Sequence, residues 1–311
     1  MERDSQGRFR SSEPSYEAPV PDLPESWHEM RSRMEEIQEM RKPLDIWKDS
    51  IDIKINTGKT PYFFLGNFSD PHIGSEYTNY DYIQKYMDFI RTTGIKVGLY
   101  GDLFDGYNPK ILPQAMMDTV ANPDEQILAM RQFHEEYQDE IAFEAGGNHE
   151  EWTRSASGVE PYRWMTRDLK IPLLNNGGVV NLDVNGIKYK GLVYHKIARY
   201  NSSINQTHAP KQMLRMAEDA DFVVAGDKHM FGMEKAQLRD KKIAVVQLGT
   251  TKTEDKFGKR GMSFGAKPQI GFPTLFFSGE HKNIEMIEDI DEAANHIWGL
   301  RALHGEQVEQ D

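Results

Sequence analysis

YFFLGNFSDPHIGS, residues 62–75, decides how the rest of the chain is read. Its first half is an apolar run ending in glycine, the texture of a strand buried on both faces. Its second half sets Asp70 and His72 on either side of Pro71, just before Gly74. A carboxylate and an imidazole are costly to bury unless something pairs with them, and a divalent cation held at a strand tip satisfies both. The rest of the sequence should then supply further oxygen and nitrogen ligands.

Working outward, KVGLYG (96–101) and IAFEAGG (141–147) repeat the pattern of a short apolar run closed by a glycine-bearing turn. Between the runs lie YDYIQKYMDFIRTTG (80–94) and DEQILAMRQFHEEYQDE (124–140), both with helical periodicity. The order is β-α-β-α-β, which predicts a mainly parallel sheet with ligands gathered at the carboxyl ends of its strands. Farther on, VVNLDVNGIKYKGLVYH (179–195) reads as a hairpin turning at Asn185 and Gly186, and MLRMAEDA (213–220) as a short helix. DFVVAG (221–226), IAVVQLG (243–249) and TLFFS (274–278) read as strands.

Composition bounds the chemistry. The 311 residues are 38% hydrophobic and contain no cysteine, so disulfides, thiolate metal sites and cysteine nucleophiles are excluded. Any metal must bind through nitrogen and oxygen. The formal net charge of -12 argues against a broad basic face for nucleic acid, though a narrow site whose positive charge comes from metal ions is compatible with it. The apolar runs are too short to span a bilayer and MERDSQGRFRSS has no signal-like apolar segment, so the expectation is a cytoplasmic protein without a membrane partner.

Residues 1–24 hold prolines 14, 19, 21 and 24 and little apolar periodicity, and read as a disordered or draped arm. Residues 25–50 read as an amphipathic helix and linker. Ser26 and Glu29 form a capping box ahead of a stripe of Trp27, Met30, Met34, Ile37 and Met40, with Pro43 as the stop. The stripe is expected to dock on the main domain, and as the lesser alternative it offers a homodimer contact. The main domain is expected over 51–290, with a C-terminal helix and polar tail over 291–311.

The strand ends are not random. After the first comes Asp70 with His72; after the second, Asp102 and Asp105; after the third, Asn148, His149 and Glu150; then His195 after VY, and Asp227 with His229 in GDKH. Singly, each has an ordinary structural role: aspartate caps helices, asparagine serves turns, and a histidine packs in a core. Jointly, five strand tips delivering carboxylate, amide or imidazole groups are hard to explain as packing. A pair of divalent ions with a shared water and an acid for the leaving oxygen needs that mixture.

The ordered set DPH, GDLFD, GNHE, a later histidine and GDKH resembles the calcineurin-like metallophosphoesterase family, which reads D-x-H, G-D-x-x-D, G-N-H-D/E, H and G-H-x-H in the same order. The match spans residues 70–229. The resemblance implies an α/β fold of two packed mixed β-sheets flanked by helices, a four-layer sandwich. It implies that Asp70, His72 and His229 ligate a first metal, that Asp102 bridges to a second, and that Asn148 and His195 bind the second. His149 would protonate the leaving group, with Asp105 orienting it, while a metal-bridging hydroxide attacks phosphorus. Where the family has the first histidine of G-H-x-H, this chain has Asp227. A carboxylate can serve there and favours a harder ion, or it can leave the second site weak. Two divalent ions are therefore expected, Mn²⁺ first, with Mg²⁺, Fe²⁺ and Zn²⁺ as alternatives.

Protein phosphatases of that superfamily continue the second motif with Asp-Arg-Gly, where this chain has DGY (105–107). GDLFD looks more like the DNA repair exonuclease branch, which makes a phosphodiester in nucleic acid or nucleotide the leading substrate class. A phosphomonoesterase, or a degenerate scaffold that keeps the fold without full metal occupancy, are the alternatives. Arg154 and, in the basic and aromatic loop 251–267, Lys256 and Arg260 are the candidate substrate contacts. His134 matches no motif and reads as surface or packing.

Overall fold

Both faces of Tyr62–Phe68 are buried, which is why that strand is apolar without alternation. The computed structural model describes residues 26–41, 46–106, 118–197, 202, 204–254 and 267–306. The expected N-terminal arm, Lys256 and Arg260 lie outside the described residues. The described residues before Trp47 belong to a unit of their own. At the start of its helix α1 (Trp27–Arg41), where the capping box is expected, Ser26 Oγ accepts from Glu29 N at 3.3 Å.

From Trp47 onward the order is β1 (Trp47–Ile55), β2 (Tyr62–Phe68), α2 (Tyr80–Thr93), β3 (Lys96–Tyr100), α3 (Pro123–Tyr137), β4 (Ile141–Ala145), α4 (Asn148–Ser157), α5 (Pro161–Met165), β5 (Leu173–Val184), β6 (Ile187–Tyr194), α6 (His208–Met213), β7 (Phe222–Ala225), β8 (Gly232–Leu238), β9 (Lys241–Gln247), β10 (Thr274–Ser278), β11 (Ile284–Ile287) and α7 (Ile290–Leu303). The expected β-α-β-α-β run is β2 to β4, all parallel. The short helix expected over 213–220 lies earlier, at His208–Met213. Pro210 is tolerated in a first turn, whereas the acidic residues Glu218, Asp219 and Asp221 would oppose the dipole of a helix ending there.

The strands form a large mixed sheet in the order β11-β10-β2-β3-β4-β5-β6-β7-β9-β8, with β1 beside β5. The β5 strand changes partners along its length. Leu173 and Leu174 pair with β4, while residues 177–184 pair with β6. The sheet thereby doubles over. Phe277 of β10 meets Phe222 of β7 and Tyr189 of β6 at 5.1 and 5.2 Å between ring centroids. The two packed layers expected from the sequence are thus the halves of one hydrogen-bonded sheet, enclosing Leu65, Phe143, Val193, Val224 and Val246. Helices cover the outer faces: Tyr86 of α2 stacks on Phe68, His296 of α7 meets Phe276, and Met213 of α6 packs with Val223 and Val245.

His134 pins α3 to β4. Its Nε2 lies 2.6 Å from Glu144 Oε2 and its Nδ1 2.7 Å from Met130 O, with both side chains fully buried. Two acceptors facing two ring nitrogens call for the imidazolium. Burial works against that charge, but Glu144 overcomes it and raises the His134 pKa. A folded-state value above the unfolded one, about 6.5, means this stability is complete at lower pH and is lost as pH rises through the folded value. The melting temperature of the wild type should therefore fall more between about pH 6 and 9 than that of His134→Gln; parallel declines would contradict it. Glu144→Ala should cost about 3 kcal/mol, the range for breaking a buried ion pair.

Candidate metal and acid site

The loops after β2 and β3 are held together before any ligand is considered. Asp70 N donates to Gly101 O, His72 N to Asp102 O and Ile73 N to Leu103 O, so the parallel pairing runs on past the strands. Thr250 Oγ1 donates to Asp70 O at 2.6 Å and Thr78 Oγ1 to His72 O at 2.6 Å. Of the eight non-glycine residues with positive φ among the described residues, five are Asp70, His72, Asp102, Asp227 and His229. Left-handed backbone costs about 1–2 kcal/mol per residue, and its concentration here is what a site that outweighs local strain looks like. Gly101 and Gly147 allow the β3 and β4 loops to touch: a Cβ on Gly147 would stand 2.0 Å from Asp102 N, and one on Gly101 2.6 Å from the Gly147 Cα.

The side chains converge in overlapping groups: Asp70, His72 and His229; His72, Asp102 and His149; Asp70, Asp102 and His195. His72 Nε2 lies 2.9 Å from His229 Nε2, 3.8 Å from Asp70 Oδ1 and 4.0 Å from Asp102 Oδ2. His229 Nε2 is 3.3 Å from Asp70 Oδ1. Ser69 Oγ and Asp227 N donate to the other Asp70 oxygen, and Oδ1 is left buried without a hydrogen-bond donor. Ligands of a six-coordinate ion with bonds near 2.1 Å stand about 3 Å apart, close to the spacing of these nitrogens and this oxygen. The donor set fits a divalent cation.

Asp102 reaches the rest. Its Oδ1 accepts from His149 N at 2.9 Å, at the start of α4, and lies 3.1 Å from His195 Nε2. His195 Nε2 is also 3.1 Å from Asn148 Oδ1, and its Nδ1 is 2.6 Å from Tyr100 O, an outer contact that fixes the ring and leaves Nε2 for the site. Burial would lower the His195 pKa, but Asp102 and Asp70 raise it to about 10. Burial likewise opposes ionisation of Asp70 and Asp102, and the surrounding imidazoles, His195 foremost, hold both carboxyls well below their usual range.

The other expected residues are placed differently. Asp105 meets His149 through its main-chain carbonyl, which lies against Nδ1, while its carboxylate faces His72 Nδ1 at 3.2 Å and Lys252 Nζ at 3.3 Å. The Asp227 carboxylate is held by Lys196 at 2.9 Å and Lys228 at 2.7 Å. Arg154 pairs with Glu151 at 2.7 Å and Glu160 at 3.7 Å on a half-exposed surface.

Two residues gain importance only in three dimensions. Trp152 lies against the His149 ring, 4.6 Å between centroids. Glu150, buried behind the site, accepts from Asp102 N at 3.2 Å and Leu103 N at 2.7 Å. Burial and then Asp102 raise its pKa to about 8. Glu150→Ala should free the Asp102 loop and weaken Mn²⁺ affinity by roughly ten- to a hundredfold, the range for outer-contact losses; an unchanged calorimetric affinity would show that Glu150 only fills space.

No known family model and no curated protein matches the chain. Among solved structures it is similar to Vps29 complexed with zinc from Entamoeba histolytica (12% identity, 73% of this chain and 99% of that one, TM-score 0.35). It is also similar to a predicted phosphoesterase from Streptococcus pneumoniae TIGR4 (13%, 73% and 98%, 0.34) and to a metallophosphoesterase from Sphaerobacter thermophilus (12%, 78% and 98%, 0.36).

Proposed function

We propose that this chain is a cation-dependent phosphoesterase cleaving a phosphodiester in a nucleotide or nucleic acid, with His149 as proton donor to the leaving oxygen. The observation that carries the reading is the convergence of four histidines and two aspartates from the tips of β2, β3, β4, β6 and β7. Asp70, His72, Asp102 and His229 would hold a divalent cation, Mn²⁺ as the working choice, because nitrogen and oxygen donors without sulfur suit it. When bound, such an ion supplies Lewis acidity toward a phosphoryl oxygen and lowers the pKa of a water.

The chain's own residues do the rest. His149 Nδ1–H donates to Asp105 O, which fixes the ring and leaves Nε2, 3.7 Å from Asp102 Oδ2, to carry the proton. The side chain is 15% exposed, enough for a leaving oxygen to reach it. Burial lowers its pKa, with Asp102 opposing, so the imidazolium gives up its proton readily. Lys196, Lys228 and Lys252 are each already paired with Asp227 or Asp105. That leaves little surplus positive charge for a monoester dianion and favours the singly charged diester; Lys256 and Arg260 are proposed to meet the rest of the substrate. The GDLFD motif points the same way, toward the repair exonuclease branch.

None of the described helices is long and apolar enough to cross a membrane; a cytoplasmic location and self-association through α1 belong to this proposal. The lysines around Asp227 favour one second reading, a binding protein that keeps the fold without turnover. With Mn²⁺ present, the enzyme should cleave bis-p-nitrophenyl phosphate in preference to p-nitrophenyl phosphate. The reverse preference would make it a monoesterase, and no cleavage of either would favour the binding protein.

A further inference from the structure

We propose that the Lys196 ammonium takes the place of a second divalent ion, so that the site works with a single cation beside a fixed positive charge. This rests on the functional reading above and specifies how its charge is arranged. Lys196 Nζ lies 2.9 Å from Asp227 Oδ1 and 3.2 Å from Asn148 Oδ1. Those are two of the groups that the sequence offers to a second ion. The other two, His195 and Asp102, are one and two contacts farther on, since Asn148 Oδ1 is 3.1 Å from His195 Nε2, itself 3.1 Å from Asp102 Oδ1.

The two donor sets differ in what they lack. Around Asp70, a buried carboxylate oxygen has no hydrogen-bond donor and faces two imidazole nitrogens. Around Asn148, the amide oxygen already accepts from an ammonium, and both Asp227 oxygens are engaged, the second by Lys228 at 2.7 Å. A divalent ion bonded to Asn148 Oδ1 at roughly 2.1 Å would sit against the Lys196 charge and compete with it for the same lone pairs. The first set needs a cation, and the second contains one.

Sheet register makes the arrangement a built feature. The β6 and β7 strands are parallel, with Tyr194 opposite Ala225. Two residues beyond the end of each strand come Lys196 and Asp227, so the parallel pair delivers the ammonium and the carboxylate to the same end of the sheet, where they meet at 2.9 Å. Asp227 stands where the resembled motif carries an imidazole, and an acidic side chain is what a lysine at that position requires.

The test is metal content and its magnetic signature. The protein is equilibrated with excess Mn²⁺, dialysed and analysed by mass spectrometry and electron paramagnetic resonance. The wild type should retain a single ion with the spectrum of isolated Mn²⁺. Lys196→Met, which keeps most of the stem and removes the charge, should take up a second ion and show a spin-coupled pair; Lys196→Gln reads the same way should Lys196→Met misfold. Lys196→Arg should stay at a single ion. A coupled pair in the wild type, or a single ion in both neutral variants, would overturn the proposal while leaving the first cation in place. No Mn²⁺ in the wild type would instead remove the functional reading on which it stands.

Discussion

His149→Ala is expected to lose about a thousandfold in kcat on a dinucleotide while its Mn²⁺ content stays that of the wild type. A ribose alkoxide is a poor leaving group and would need the proton that the proposed role gives to Nε2. A p-nitrophenolate leaves without help, so the same variant should lose far less on bis-p-nitrophenyl phosphate. The contrast separates an acid from a residue that merely packs. His149 touches Trp152, Asp102 and His72, and damage through those contacts would lower both rates together. Equal losses on the two substrates would therefore count against the assigned role, and an active variant on the dinucleotide would end it.

The second large effect is at Asp102. It is 2% exposed and meets three imidazoles and the first turn of α4. Asp102→Asn keeps the shape and the acceptor for His149 N but removes the charge. Mn²⁺ affinity should fall by more than the roughly hundredfold expected from losing an outer contact, with the fold intact by circular dichroism. The cation-free variant should also lose the pull that Asp102 exerts on His195. The His195 imidazole would then titrate below its wild-type value of about 10, which a nuclear magnetic resonance titration reads directly. Unchanged affinity would place the cation away from Asp102.

The parts of the fold legible in the sequence are those buried on both sides. The β2, β3 and β4 strands are short apolar runs because helices cover one face and the other half of the sheet covers the other. The edge elements were not legible. In β1 only Ile51 is fully buried, β8 has no buried residue and β11 has one. Their charged residues are what exposed strand edges carry; β8 has no apolar run, and the short alternation of Ile51, Ile53 and Ile55 in β1 is a weaker signal than the unbroken runs of the buried strands.

In the site, strand-tip residues stood out because polar groups directly after apolar runs need a reason. The roles of Glu150, Thr250 and Lys196 did not, because each acts on a partner distant in sequence. Asp105 shows a different limit. The family resemblance implied that it orients His149, but a resemblance of motifs does not tell a carbonyl from a carboxylate, and the carbonyl makes the contact.

The most direct test is a crystal grown in MnCl₂ and measured at the manganese absorption edge. An anomalous peak is expected within about 2.1–2.3 Å of Asp70 Oδ1, His72 Nε2, His229 Nε2 and an Asp102 oxygen. A well-ordered crystal with no peak among these four side chains, or with manganese bound only elsewhere, would contradict the account.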